Sequence, residues 1–85
     1  MPVLSRFLGI SIKMYYDDHA PPHFHAYHGS YEAAVEIEGG DVRGSFPPGA
    51  LRRVLEWRDL RKDDLRVAWH SVRLGRRPRP IAGLE

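Results

Sequence analysis

Four histidines and two aspartates fall within residues 17–28 of this 85-residue chain. The stretch reads Asp17-Asp18-His19-Ala20-Pro21-Pro22-His23-Phe24-His25-Ala26-Tyr27-His28. Imidazole and carboxylate side chains are the groups that bind divalent metal ions and transfer protons near neutral pH. The sequence therefore places the candidate functional site in this stretch.

The element that carries the later histidines is predicted to be a β-strand. His23 and His25 are two residues apart, so a strand directs both side chains to the same face. The Gly-Ser pair that follows is typical of a two-residue type II′ hairpin turn. That turn sets a register running from His23 opposite Glu36 to His28 opposite Tyr31, and a slip of one residue would invert the faces.

Three interpretations of the histidine face stay open. In the first, His23 and His25 bind a divalent metal ion, zinc or similar, with an acidic group, and His19 or Asp18 on the preceding loop completes the ligand set; His19, His23 and His25 are the predicted metal ligands. In the second, His23 and His25 are the acid and base of a metal-free RNA-cleaving site, and Glu36 and Asp18 orient them. In the third, the histidines are structural and hydrogen-bond to acidic neighbours on the sheet. No stringent metalloenzyme spacing is present, so the sequence leaves open whether the protein is an enzyme.

The charges of the chain are unevenly distributed. Residues 1–46 hold three basic and six acidic residues, whereas residues 47–85 hold ten basic and five acidic ones. A basic half attracts nucleic acid or an acidic protein, although it is also typical of a solvated helix face. The arginines predicted to be available for phosphate are Arg52, Arg53, Arg58 and Arg61.

Composition excludes several classes of protein. The chain has no cysteine, which excludes disulfides and thiolate zinc sites. No stretch approaches the roughly 20 apolar residues of a membrane helix, and we read no signal peptide, so a cytoplasmic location is expected. A chain of this length has little stability to spare, and association with a partner or with a second copy is therefore expected.

The alternation of residue types predicts an α+β fold. We expect an antiparallel sheet of three to four strands followed by two helices packed on one face. The predicted strands cover 10–16, 23–28, 31–38 and 42–46, and the predicted helices carry the apolar stripes of residues 51–57 and 65–72. Residues 1–75 form one domain, and residues 76–85 are predicted to be a basic, mobile tail. An alternative architecture exchanges the first strand between the copies of a dimer.

The histidine stretch also carries a family resemblance. Asp18-His19-Ala20-Pro21-Pro22-His23-Phe24-His25, with the helical Leu51-Arg52-Arg53-Val54-Leu55-Glu56-Trp57, resembles domain-of-unknown-function family 4160. The resemblance makes Asp18, His19, His23 and His25 the motif residues. It also implies a small stand-alone bacterial protein, often encoded beside a second small protein in an arrangement similar to toxin–antitoxin pairs.

Two functional hypotheses follow from these observations. The first is a component of a toxin–antitoxin-like module, with the toxin role favoured, that acts on RNA or translation through the histidine face and has a small cognate protein partner. The second is a non-catalytic module that binds a protein or a metal ion with the same face. A lone histidine, His70, is predicted to be a surface or packing residue. The two tryptophans, Trp57 and Trp69, are predicted to be core anchors.

Overall fold

Five strands precede two helices in the computed structural model, which describes residues 3–84. The elements are β1 (Val3–Phe7), β2 (Ile10–Lys13), β3 (His23–His28), β4 (Tyr31–Glu36), β5 (Val42–Ser45), α1 (Pro48–Leu60) and α2 (Lys62–Arg73). The strands follow one another across a single sheet in chain order, and every neighbouring pair is antiparallel. Met1, Pro2 and Glu85, which the predicted domain and tail include, lie outside the described residues.

The sheet has one strand more than the three to four predicted. The unpredicted strand is β1, in which two consecutive residues, Leu4 and Ser5, are both buried. The register with β2 shifts between Val3 and Ser5, so the period-two alternation that reveals a strand is broken there. β2 itself ends at Lys13 instead of continuing to residue 16. The α+β class is confirmed, and the strand count was wrong.

Because β2 pairs with both β1 and β3 within the chain, the sheet is complete without the predicted alternative of strand exchange.

The hairpin that carries the histidines has the predicted register. All six pairs are present, from His23 opposite Glu36 to His28 opposite Tyr31. Gly29 has a φ of 59°, and Ser30 is not among the described residues with positive φ, as a type II′ turn requires. The local sequence of the turn thus determines which side chains of β3 share a face.

Both helices pack on one face of the sheet. Trp57 of α1 is fully buried, and its ring lies 5.5 Å from that of Phe24 in an edge-to-face contact. Leu65 and Val72 of α2 complete the same core. The helices are separated by Arg61 alone, and no side chain caps the first turn of α2 with a hydrogen bond. His23, the first residue of β3, lies beside α2, with its ring 5.6 Å from that of Trp69.

The C-terminal segment is packed against the domain, in contrast to the predicted mobile tail. The Ile81 N–H donates to the Leu4 carbonyl at 2.7 Å, and Ile81 is 8% exposed. The Trp57 indole N–H donates to the Ala82 carbonyl at 2.8 Å. The arginines of this segment dominate its composition, but its apolar residues cover the outer edge of β1. No helix among residues 3–84 is long and apolar enough to cross a membrane.

The turn between β1 and β2 offers a stabilising substitution. Leu8 and Gly9 have φ angles of 52° and 77°, which define a type I′ turn, and Leu8 is 54% exposed. Leucine is strained there, whereas asparagine adopts the left-handed region readily. We expect Leu8→Asn to raise the free energy of unfolding by about 0.5–1 kcal/mol, measured by urea denaturation. Leu8→Ala is the control, and an equal gain in both variants would contradict the turn argument.

Candidate metal centre

Three side chains of the histidine stretch converge at one point. Asp18, His23 and His25 each offer one ligand atom, and these atoms all lie within 4.8 Å of one another. His25 Nε2 is 3.3 Å and His23 Nε2 is 3.6 Å from Asp18 Oδ2. We call these three residues the Asp-His-His cluster. Their side chains are 16%, 9% and 17% exposed respectively, so the cluster is largely buried but still accessible from solvent.

The ring of His23 is held in one orientation. Its Nδ1 lies 2.8 Å from the Pro21 carbonyl oxygen, which can only accept a hydrogen bond. Nδ1 is therefore the protonated nitrogen of the neutral ring, and Nε2 carries a lone pair directed at Asp18. A backbone carbonyl on the outer nitrogen of a histidine is the usual way in which a protein orients a metal ligand.

His25 is positioned by two carboxylates. Its Nε2 faces Asp18, and its Nδ1 lies 3.8 Å from Oε2 of Glu32. That second separation is longer than a hydrogen bond. His25 Nδ1 is buried and has no hydrogen-bond partner among the described residues. Glu32 is thus placed to accept a hydrogen bond from the Nδ1–H group of His25 after a small side-chain movement, which is the arrangement of a carboxylate–histidine–metal site.

The carboxylate of Asp18 is presented by a tight turn after β2. The Tyr15 N–H donates to Asp18 Oδ2 at 3.2 Å, and the Asp18 N–H donates to the Tyr15 carbonyl at 3.3 Å. Arg73 of α2 donates from Nη1 to the Asp18 carbonyl at 2.8 Å. The turn is therefore attached to the helical layer, which limits movement of the carboxylate away from the histidines.

Aromatic rings surround the cluster on two sides. Trp69 of α2 lies 5.6 Å from the ring of His23, and Tyr15 meets His25 edge to face at 4.8 Å. The Tyr15 hydroxyl is hydrogen-bonded to that of Tyr27. Burial, reinforced by Tyr15 and Glu32, raises the pKa of Tyr27 above its ordinary value. The Tyr27 hydroxyl therefore stays protonated to a higher pH than that of an ordinary tyrosine.

The other acidic and histidine residues predicted for the site are not part of the cluster. His19 is exposed in the loop after Asp18 and is absent from the cluster. Glu36 lies opposite His23 in the register but forms no ion pair with it among the described residues. Glu32, four residues nearer the hairpin turn on the same strand, is the carboxylate that faces His25.

The predicted phosphate-binding arginines lie on the helical layer, apart from the cluster. Arg52 and Arg53 are exposed on α1. Arg58 is 8% exposed and donates to the Ile37 and Glu38 carbonyls at 2.8 and 2.9 Å. Arg61 lies 3.4 Å from the Gly83 carbonyl, so it too contacts the fold internally. A role in phosphate binding stays a prediction for Arg52 and Arg53, whereas Arg58 is occupied inside the domain.

Sequence reasoning did not assign the residues that α2 contributes to the site. Trp69 was predicted to be a core anchor, yet it is half-buried against His23, and Arg73 was given no role. Their spacing of four residues places them on one face of the helix. That spacing alone does not indicate which part of the sheet the face meets, so the packing of α2 decides their position.

The chemistry of the cluster favours a bound cation. Two imidazole nitrogens and a carboxylate are acceptors when the rings are neutral, and acceptors brought this close repel one another unless a proton or a metal ion lies between them. Two histidines and one carboxylate form the ligand set of many first-row transition-metal sites, and they leave coordination positions free. The donor set therefore fits a divalent metal ion.

Comparison with known families agrees with the sequence. Residues 9–70 match the family described as Domain of unknown function (DUF4160), which confirms the resemblance. The chain belongs to this family. The DUF4160 match includes all three cluster residues and Trp69. A search of the curated proteins and a search of the solved structures both returned no match.

Proposed function

We propose that this DUF4160 protein binds one divalent transition-metal ion through Asp18, His23 and His25. The observation that carries the proposal is the convergence of three acceptor atoms within 4.8 Å, with the outer nitrogen of His23 already bonded to a backbone carbonyl. Imidazole ligands favour ions such as Zn²⁺, Co²⁺, Ni²⁺ and Fe²⁺ over Mg²⁺ or Ca²⁺, which prefer oxygen. The metal would serve as a Lewis acid with free coordination positions.

The geometry favours this role over metal-free cleavage of RNA. An acid and a base that act on a phosphodiester need the phosphate between them, but the Nε2 atoms of both histidines face the Asp18 carboxylate. A second anion at that position would be repelled. A divalent cation reverses the sign of the local charge and makes an anionic ligand favourable.

The direct test is a titration of the metal-free protein with Co²⁺ and Zn²⁺, followed by calorimetry and by the visible spectrum of Co²⁺. We expect one ion per chain and nitrogen–oxygen coordination. Asp18→Asn and His25→Ala are expected to weaken binding at least tenfold, since removal of one of three protein ligands removes a substantial part of the affinity. His19→Ala and His70→Ala are matched controls that alter exposed histidines outside the cluster.

A control variant that loses as much affinity as Asp18→Asn would contradict the assigned ligand set. Absence of binding by the folded wild-type protein at millimolar metal would overturn the proposal. Circular dichroism of each variant separates the loss of a ligand from the loss of the fold.

A toxin that acts on RNA or translation is the second candidate function of the same cluster. It is supported by Lys13, Arg43 and Arg73, which lie beside the cluster and supply positive charge for a phosphate backbone. We expect induction of the wild-type protein alone to arrest the growth of a bacterial host. The His23→Ala/His25→Ala variant, accumulated to the same level, is expected to be harmless. Healthy growth in both cases would contradict the toxin role. The non-catalytic binding module would then be the remaining candidate function.

A further inference from the structure

One row of side chains crosses the open face of the sheet through the Asp-His-His cluster. Lys13 of β2 pairs with His25 of β3, His25 pairs with Ala34 of β4, and Ala34 pairs with Arg43 of β5. Residues paired in this way lie side by side on one face. The metal ligand His25 is therefore flanked by a lysine on one side and, beyond a single alanine, by an arginine on the other.

The alanine leaves a cleft beside the histidine. The cleft has a volume of about 360 Å³ and is lined by His25, Glu32, Ala33, Ala34, Arg43 and Gly44. Two strand spacings separate Arg43 from His25, which is roughly 10 Å between Cα atoms and within reach of an arginine side chain with a small anion between them. A larger residue at position 34 would fill this space.

Neither cation of the row is neutralised. Lys13 and Arg43 form no ion pair in the part of the chain that the structure describes. The Lys13 ammonium lies 4.9 Å from the centre of the Tyr27 ring, directed over the open face. An arginine presents a planar fork of donors that matches the oxygens of a phosphate, and a lysine adds a point charge.

The charge balance of the face depends on the metal. Three carboxylates and four cations lie on the face or at its rim: Asp18, Glu32, Glu36, Arg6, Lys13, Arg43 and Arg73. Their formal charges sum to +1 in the metal-free protein, and the Glu32 carboxylate lines the cleft itself. A divalent ion raises the sum to +3 and favours an anionic ligand.

We infer that the cleft between His25 and Arg43 binds a phosphate group, which Arg43 contacts directly. The metal ion on Nε2 of His25 and the Lys13 ammonium, both beyond the His25 ring from the cleft, add positive charge. The inference rests on the proposed metal function and specifies the ligand class of that site. Free phosphate, a small phosphorylated molecule and the backbone of RNA share this chemistry. Glu32 limits binding when the metal is absent, so phosphate affinity depends on the metal.

The experiment titrates inorganic phosphate into the full chain with and without Co²⁺, after Co²⁺ binding has been measured for each variant. The Co²⁺-loaded wild type is expected to bind phosphate at least tenfold more tightly than the metal-free protein. Arg43→Gln removes the charged fork, and Ala34→Leu fills the cleft; each is expected to lower phosphate affinity by roughly tenfold to a hundredfold. Arg76→Gln, which alters an exposed arginine after α2 that does not line the cleft, is the matched control and is expected to bind phosphate like the wild type.

The outcomes separate this inference from the proposed function. If the protein binds Co²⁺ but binds phosphate equally well in the wild type, Arg43→Gln and Ala34→Leu, the phosphate site is overturned and the metal centre stands. If Co²⁺ does not bind, both are overturned. A second arm replaces phosphate with a single-stranded ribo-oligonucleotide at fixed salt. Tighter binding that still depends on Arg43 assigns the phosphate to RNA, whereas binding of inorganic phosphate alone assigns it to a small phosphorylated molecule.

Discussion

A saturating concentration of Zn²⁺ or Co²⁺ is expected to raise the free energy of unfolding of the wild-type protein by about 3–4 kcal/mol. This is the stabilisation that a ligand at 100 to 1,000 times its dissociation constant gives when it binds only the native state. The cluster exists only in the folded chain, because Asp18 comes from a turn and the histidines from β3. For a domain of this size such a gain is a large part of the total stability.

His25→Ala is the informative variant for this prediction, measured by urea denaturation with and without metal. Its stability is expected to respond little to metal, whereas that of the control His70→Ala is expected to rise like the wild type. Protons compete with metal for the histidine nitrogens, so the gain is expected to be present at neutral pH and to shrink as the pH falls. A gain that is unchanged in His25→Ala would show that metal binds elsewhere.

Replacement of Arg58 with methionine is expected to lower the free energy of unfolding by about 3–5 kcal/mol. The guanidinium joins α1 to the end of β4 by donating to the Ile37 and Glu38 carbonyls at 2.8 and 2.9 Å. Arg58 is 8% exposed, so its removal leaves acceptors in a place that water does not readily reach. Each unsatisfied buried acceptor costs about 1–3 kcal/mol, and the apolar stem of methionine replaces only the packing.

Arg52→Met on the same helix is the control, because Arg52 is exposed and such surface changes usually remain within about 0.5 kcal/mol. Chemical denaturation measures the free energy of unfolding of both variants. If Arg58→Met is largely unfolded in buffer, both are measured in a stabilising osmolyte. Equal free energies of unfolding in the two variants would show that the hydrogen bonds of Arg58 make no net contribution to stability. A loss confined to Arg58→Met would place this arginine in the structure of the domain instead of a phosphate-binding surface.

The hairpin and the shared face of His23 and His25 were predictable because the determinants are local. A two-residue turn with glycine first sets the pairing of its flanking strands, and the period of two then assigns every side chain to a face. The same alternation puts Phe24, between the two histidines, on the other face, where it is buried and contacts Trp57. Asp18 was a predicted site residue since it lies in the same short stretch, and the structure brings it against both histidines.

β1 and the C-terminal segment escaped prediction because their signals depend on distant residues. The shift of register near Ser5 interrupts the alternation of β1, and only the pairing with β2 reveals it as a strand. Ile81 lies among arginines and prolines in the sequence. Its backbone N–H nevertheless donates a hydrogen bond to the Leu4 carbonyl, and its side chain is buried. The high proportion of arginine and proline indicated an exposed segment. It gave no sign that Ile81 would pack against the edge of the sheet.

Local sequence signals were enough to predict the class of fold, the register of one hairpin and the face on which two imidazoles lie. Tertiary structure decided the rest of the site: that Glu32 faces His25, that Trp69 packs against His23 and that Arg73 holds the Asp18 turn. The difference lies in how far apart in the chain the interacting residues are. Turn geometry and strand alternation act between neighbours in the chain, whereas the placement of a helix against a sheet depends on the fit of many side chains at once.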